Sequence, residues 1–115
     1  MITMEKLKMY GANTDEGLAR CVNNEALYLK LVGLVPNDEN FGKLKEAAHA
    51  GDTDKVFEAA HAIKGALGNL SITPLYDKIS DITEAARSKA SANYKEMVDE
   101  LMEMLDEFRQ LTEEP

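Results

Sequence analysis

The chain has 115 residues, 44% hydrophobic and 30% charged, with only three prolines; this fits one domain able to bury a core and excludes a fibrous or disordered chain. Its 21 acidic and 13 basic residues give a formal net charge of -8, so a phosphate backbone would meet repulsion over much of the surface, and no nucleic acid partner is expected. The lone Cys21 excludes a disulfide scaffold, and no apolar run is long enough to span a membrane or resembles a secretory signal, so a reducing, cytoplasmic setting without membrane insertion is expected.

Apolar residues recur at helical spacing almost throughout, which predicts an all-α fold. Thr3 is placed to cap a short segment carrying Met4, Leu7 and Tyr10, and Gly11 breaks it. Thr14 is placed to start a second segment through Leu18, Cys21 and Val22. Asn23 and Asn24 interrupt that segment, and Leu27, Tyr28, Leu31, Leu34 and Val35 resume an apolar face, either as a new helix or as the continuation of a bent one. Pro36 marks a boundary before a helix on Phe41, Leu44, Ala47 and Ala48 that ends near Gly51. Thr53 is the expected cap of a longer helix whose inward face reads Val56, Ala60, Ile63, Leu67 and Leu70, in alternating steps of four and three. Thr73 as cap and Pro74 as first helical residue predict the next, facing inward with Leu75, Ile79, Ile82 and Ala86. The rhythm lapses around 88–91. Ser91 is then expected to begin a last helix on Tyr94, Val98, Leu101, Leu105, Phe108 and Leu111, fraying at "EEP". Met97, Met102 and Met104 fall within its apolar pattern and read as core packing, and the acidic "DELMEMLDE" reads as a solvated exterior.

The expected architecture is an antiparallel four-helix bundle with additional short N-terminal helical segments, in one domain over 1–115 with a helical extension or cap at about 1–23. Its walls are predicted near 24–35 or 38–50, 53–70, 74–88 and 92–112. No sustained heptad supports an isolated coiled coil. A monomer is expected, because the apolar faces can bury one another.

"HAIKGALGNL", residues 61–70, holds the candidate reactive residue, His61. At about 100° per residue His61 lies to one side of the inward face, with Phe57 one turn before it, Lys64 and Gly65 one turn after and Gly68 two turns after. Each interior glycine costs a helix about 1 kcal/mol relative to alanine, so two of them ask for a packing or access reason. Lys64 brings an ammonium to the same patch, suited to phosphoryl oxygens, and an imidazole is chemically suited to taking up and passing on a phosphoryl group. Phe57 is placed to cover the imidazole or to rim a docking patch. Glu58 and Asn69 are supporting candidates, one to orient the ring, the other for a hydrogen-bond network at the helix end. The simpler alternative is an exposed histidine among incidental small neighbours. His49, in "EAAHAGD", reads as a polar helix-end residue; with His61 alone, and no spaced cysteine, it makes a poor zinc site.

Read as "AHAIKGALGNL", the stretch closely resembles the phosphoacceptor signature of histidine-containing phosphotransfer (HPt) domains, in which lysine, glycine and small residues follow the histidine on one helix. His61, Lys64, Gly65 and Gly68 match those roles, and Asn69, Leu70 and Leu75 resemble the continuation. "GLARCVNNEALYLKLV" resembles the helical region that precedes the active helix in the family. Where many relatives have glycine then alanine after the asparagine-leucine pair, this chain has Ser71 and Ile72.

The resemblance implies an elongated four-helix bundle and a place in a multistep two-component phosphorelay. His61 would accept a phosphoryl group from the aspartyl phosphate of one receiver domain, borne for example by a hybrid sensor kinase, and pass it to an aspartate of another. Lys64 would stabilise the phosphoryl charge; Phe57, Gly65 and Gly68 would give the receiver access. The chain would bind no cofactor itself, the receiver supplying Mg2+. Such a chain is a phosphotransfer intermediate rather than an autonomous ATP-dependent kinase, and no "GxxxxGK[ST]" loop is present. Two alternatives stand beside this: the HPt-like phosphoacceptor module of a chemotaxis histidine kinase, and a noncatalytic helical adaptor that binds a signalling protein.

Overall fold

A computed structural model describes residues 2–113, and every regular element among them is helical. In chain order these are α1 (Met4–Tyr10), α2 (Thr14–Arg20), α3 (Glu25–Leu34), a 3₁₀ turn (Val35–Asn37), α4 (Glu39–Ala50), α5 (Thr53–Asn69), α6 (Thr73–Arg87) and α7 (Tyr94–Glu113). The fold is an all-α helical bundle with extra helical segments at the N-terminal end. Helix α4 packs on α5 and α7, and α6 closes the ring by packing on both α5 and α7. The two stretches between which periodicity could not choose are therefore both helical, but it is 39–50 that joins the ring. The expected frayed ending "EEP" lies largely outside the described residues.

The core follows the sequence period. Leu44, Val56, Ala60, Ile63, Leu67, Leu75, Ile79, Ile82, Val98, Leu101, Leu105 and Phe108 are all buried, and Tyr10 packs its ring 5.1 Å from that of Phe108. Desolvation there, reinforced by Glu107, pushes the Tyr10 hydroxyl up to about 12, so it remains neutral in the fold. Helix α3 departs from expectation: Tyr28 and Val32 on the helix, with Val35 just beyond it, turn inward, and Leu27, Leu31 and Leu34 face solvent. The two stripes interleave on one helix, and the contacts of α3 with α2, α7 and the 3₁₀ turn select the one carrying the tyrosine.

Several helix starts differ from the sequence reading by one or more residues. Thr3 caps α1 as expected, accepting from the Lys6 N–H at 3.2 Å. Asn13, Asp52 and Asn93, rather than Thr14, Thr53 and Ser91, cap α2, α5 and α7, accepting from the N–H groups of Glu16, Lys55 and Glu96. In each case a carboxamide or carboxylate stands just outside the helix and satisfies an otherwise orphan donor. Tyr94, the first residue of the last helix, shares its one hydroxyl proton between the carbonyls of Ala90 at 2.7 Å and Ala85 at 3.0 Å, which ties down the loop before it. Helix α6 has no side-chain cap, since Ile72, not Thr73, stands at its cap position.

Ile72 is there because it also completes the end of α5. Its N–H donates to Leu67 O at 3.1 Å and that of Ser71 to Gly68 O at 3.2 Å, the paired bonds of a Schellman motif. Ser71 occupies the left-handed position of that motif at φ 54°, where glycine is favoured, and its buried hydroxyl has no hydrogen-bond partner. A glycine at this position would adopt the same backbone without a Cβ penalty. Val22 occupies the matching position after α2 at φ 49° and is exposed, so the helical run expected through Val22 ends at Arg20.

The N-terminal segments are clamped onto this same helix end. The Tyr28 hydroxyl donates to Leu70 O at 2.8 Å in a buried contact, and the Asn13 N–H donates to Ser71 O at 2.9 Å. Burial, with Cys21 nearby, pushes the Tyr28 hydroxyl above the ordinary tyrosine range and keeps it a donor. Gly17 makes the approach possible: a Cβ there would stand 2.6 Å from Leu70 O and from the Tyr28 ring. At the other end of α3, Arg109 of α7 donates to Pro36 O at 2.7 Å.

Three outcomes are expected in urea denaturation. Gly17→Ala loses about 2–3 kcal/mol by overpacking against a backbone carbonyl, and Tyr28→Phe about 1–2 kcal/mol by leaving that carbonyl unpaired. Ser71→Gly gains about 1 kcal/mol by relieving the left-handed backbone.

Candidate functional site

Helix α5 divides its residues sharply. Val56, Ala60, Ile63 and Leu67 are buried in the ring, and His61 projects from the open side. Phe57, one turn earlier, stacks on the imidazole with ring centroids 5.6 Å apart and planes at 17°. The guanidinium of Arg87, reaching across from α6, lies 5.3 Å from the Phe57 centroid and steadies that ring by a cation–π contact. The imidazole therefore has one face supported and its edge free.

Lys64 follows His61 by three residues. Its Nζ lies 3.7 Å from Glu84 Oε1 and 6.0 Å from the Tyr76 centroid, both on α6, and Glu84 also pairs with Arg87 at 3.4 Å. With the Lys64 side chain 25% exposed and Glu84 58%, the ion pair adds little stability; its effect is to position the ammonium beside the groove.

The two glycines do different work. A Cβ on Gly65 would meet nothing within 4 Å, so its absence leaves open space beside His61. A Cβ on Gly68 would stand 3.0 Å from Tyr76 Cε1, so its absence seats an aromatic ring from α6. Together Arg20, His61, Lys64, Gly65, Gly68, Asn69 and Tyr76 line a shallow groove of about 310 Å³.

The groove thus gathers five of the residues singled out in the sequence, with Phe57 flanking it. Glu58 lines a separate groove between α4 and α5, with Lys43 and Lys55. Arg20 and Tyr76 went unnoticed in the sequence; they belong to other helices and have no periodic relation to His61. His49 is engaged elsewhere, its Nε2 donating at 2.8 Å to Asp99 Oδ1 on α7; that bond first, then one from Lys95, holds the Asp99 carboxyl below its ordinary value. No group of three or more histidine, cysteine or acidic side chains able to hold a metal ion occurs among the described residues.

An exposed imidazole, a neighbouring ammonium and a lining without carboxylates suit capture of an anionic electrophile. The family model described as Hpt domain matches residues 34–111, which span α4 to α6, nearly all of α7 and the whole His61 helix. The N-terminal stretch noted for its resemblance, 17–32, lies before that match. No curated protein and no solved structure matches the chain.

The unequal glycines are separable by urea denaturation. Gly65→Ala is expected to raise stability by about 0.5–1 kcal/mol, the helix-propensity gain at an open position, whereas Gly68→Ala loses that gain to displacement of Tyr76.

Proposed function

Because the chain belongs to the Hpt domain family, we propose that it is a histidine phosphotransfer protein or domain of a multistep two-component phosphorelay. The observation that carries this reading is His61 standing exposed on α5, inside the family-matched segment, stacked on Phe57 and flanked by Lys64. An imidazole nitrogen of His61 attacks the phosphorus of a receiver's aspartyl phosphate. A nitrogen–phosphorus bond forms as the phosphorus–oxygen bond breaks, and its electron pair returns to the aspartate carboxylate. The reverse event on a second receiver regenerates His61.

The receiver supplies the Mg2+ and the acidic pocket; this chain supplies a positioned nucleophile. Lys64 offsets charge on the phosphoryl oxygens, Gly65 admits the receiver's loops, and Phe57 holds the imidazole so that little rotation is lost at transfer. Gly68 acts indirectly, by seating Tyr76. Short connections between α4, α5 and α6 support reading the ring of α4 to α7 as the antiparallel four-helix bundle of the family. No helix among the described residues is long and apolar enough to cross a membrane, and we place the relay in the cytoplasm, where receiver domains work.

Incubation with radiolabelled, phosphorylated receiver domains and Mg2+ is expected to label the wild type. His61→Gln should remain unlabelled and keep receiver affinity to within about threefold, while Lys64→Ala should slow transfer by about 10- to 100-fold. Labelling of the glutamine variant would overturn the assignment. Binding without transfer, over a broad panel of competent receivers, would favour the adaptor; labelling only by an ATP-dependent kinase would favour the chemotaxis-type module.

A further inference from the structure

We propose that Arg20, on α2 and outside the family-matched segment, is a second phosphoryl-contacting residue of the His61 groove, released from Glu16 when the phosphoryl group arrives. The inference rests on the phosphotransfer reading of His61 and adds to it a residue that no feature of the 61–70 motif announces.

Three observations converge on Arg20. First, the groove lining contains two cations, Arg20 and Lys64, and no carboxylate, in a chain whose formal net charge is -8. Positive charge is concentrated where a phosphoryl group would arrive, against the composition of the whole. Second, the arginine is tethered only lightly. Its Nη2 donates to Glu16 Oε1 at 2.9 Å, one turn back on the same helix, with both side chains about half exposed. An exposed pair of this kind is worth under about 1 kcal/mol, whereas a guanidinium binds phosphoryl oxygens with two parallel charge-assisted bonds. Release from Glu16 therefore costs little.

Third, the helix that carries it is placed firmly. Gly17, one turn before Arg20, lies against Leu70 O, and the Asn13 N–H donates to Ser71 O, so the last turn of α2 is held beside the end of α5. Arg20 also borders the adjoining groove of about 410 Å³, which shares Gly68 and Tyr76 with the first. The carboxylates bordering that second groove, Glu16 and Asp77, stay outside the lining of the first. The guanidinium thus has an acidic resting place on one side and the imidazole's groove on the other.

The test uses the full chain with phosphoramidate as a small phosphoryl donor, so that receiver docking does not enter. Phosphorylation transfers the group from the donor nitrogen to His61 with release of ammonia, followed by mass spectrometry and 31P NMR. Against the wild type, Arg20→Gln should slow phosphoryl uptake about fivefold and raise the pH at which the bound phosphoryl group titrates, because a neighbouring cation favours its dianion. Arg20→Lys should restore much of both. Glu16→Gln, which frees the guanidinium, should speed uptake. Unchanged uptake and an unchanged 31P titration in Arg20→Gln would overturn the role of Arg20 and leave the function of His61 standing. A wild type that gains no phosphoryl group on His61 would overturn both. Urea denaturation of each variant separates these results from loss of fold.

Discussion

The organisation of the molecule depends on how the C-terminal end of α5 is finished. That end must close its own helix, start α6 and receive the N-terminal segments within a few residues. The backbone bonds of Ser71 and Ile72 do the first, the position of Ile72 does the second, and the Tyr28 hydroxyl on Leu70 O does the third. A buried carbonyl at a helix end costs free energy unless it finds a donor, and here the donor comes from a helix more than forty residues away in sequence. Gly17 is the steric condition for that meeting. Satisfying one backbone oxygen thereby fixes where α2 lies, and with it which side chains border the open face of α5.

On that open face the chemistry is built from ordinary parts. The imidazole is supported by Phe57, Phe57 by Arg87, and both Arg87 and Lys64 by Glu84. Each contact is weak by itself, because the charged groups are substantially exposed. Linked across α5 and α6, they narrow the orientations available to the ring and the ammonium without enclosing either. The imidazole is thereby both oriented and uncovered, as the proposed exchange with a partner protein requires.

Much of this was legible in the sequence where the signal is periodic. The inward faces of α5, α6 and α7 followed from spacing alone, since a helix that buries one stripe repeats it at every turn. Caps were less legible, because Asn13, Asp52 and Asn93 each stand next to or near a threonine or serine that can serve in the same way. On α3 two apolar stripes interleave, and only the neighbours decide which turns inward. Gly65 and Gly68 look equivalent in the sequence; the ring of Tyr76 makes them different. Arg20 was invisible for a related reason: its place in the groove results from the contacts of Gly17 and Asn13, and nothing local to Arg20 records them.

Ile72 is at once the closing residue of α5 and the opening residue of α6, which leaves no free peptide unit between the two helices to act as a hinge. The walls of the His61 groove contributed by α5 and α6 therefore belong to one hairpin, whose connecting N–H groups are all hydrogen-bonded. On the phosphotransfer reading proposed above, a receiver would meet a preformed surface there, with side-chain rotation as the main adjustment. Encounter with such a surface is governed by diffusion and charge rather than by a slow conformational step, a property suited to a brief, reversible exchange between two partners.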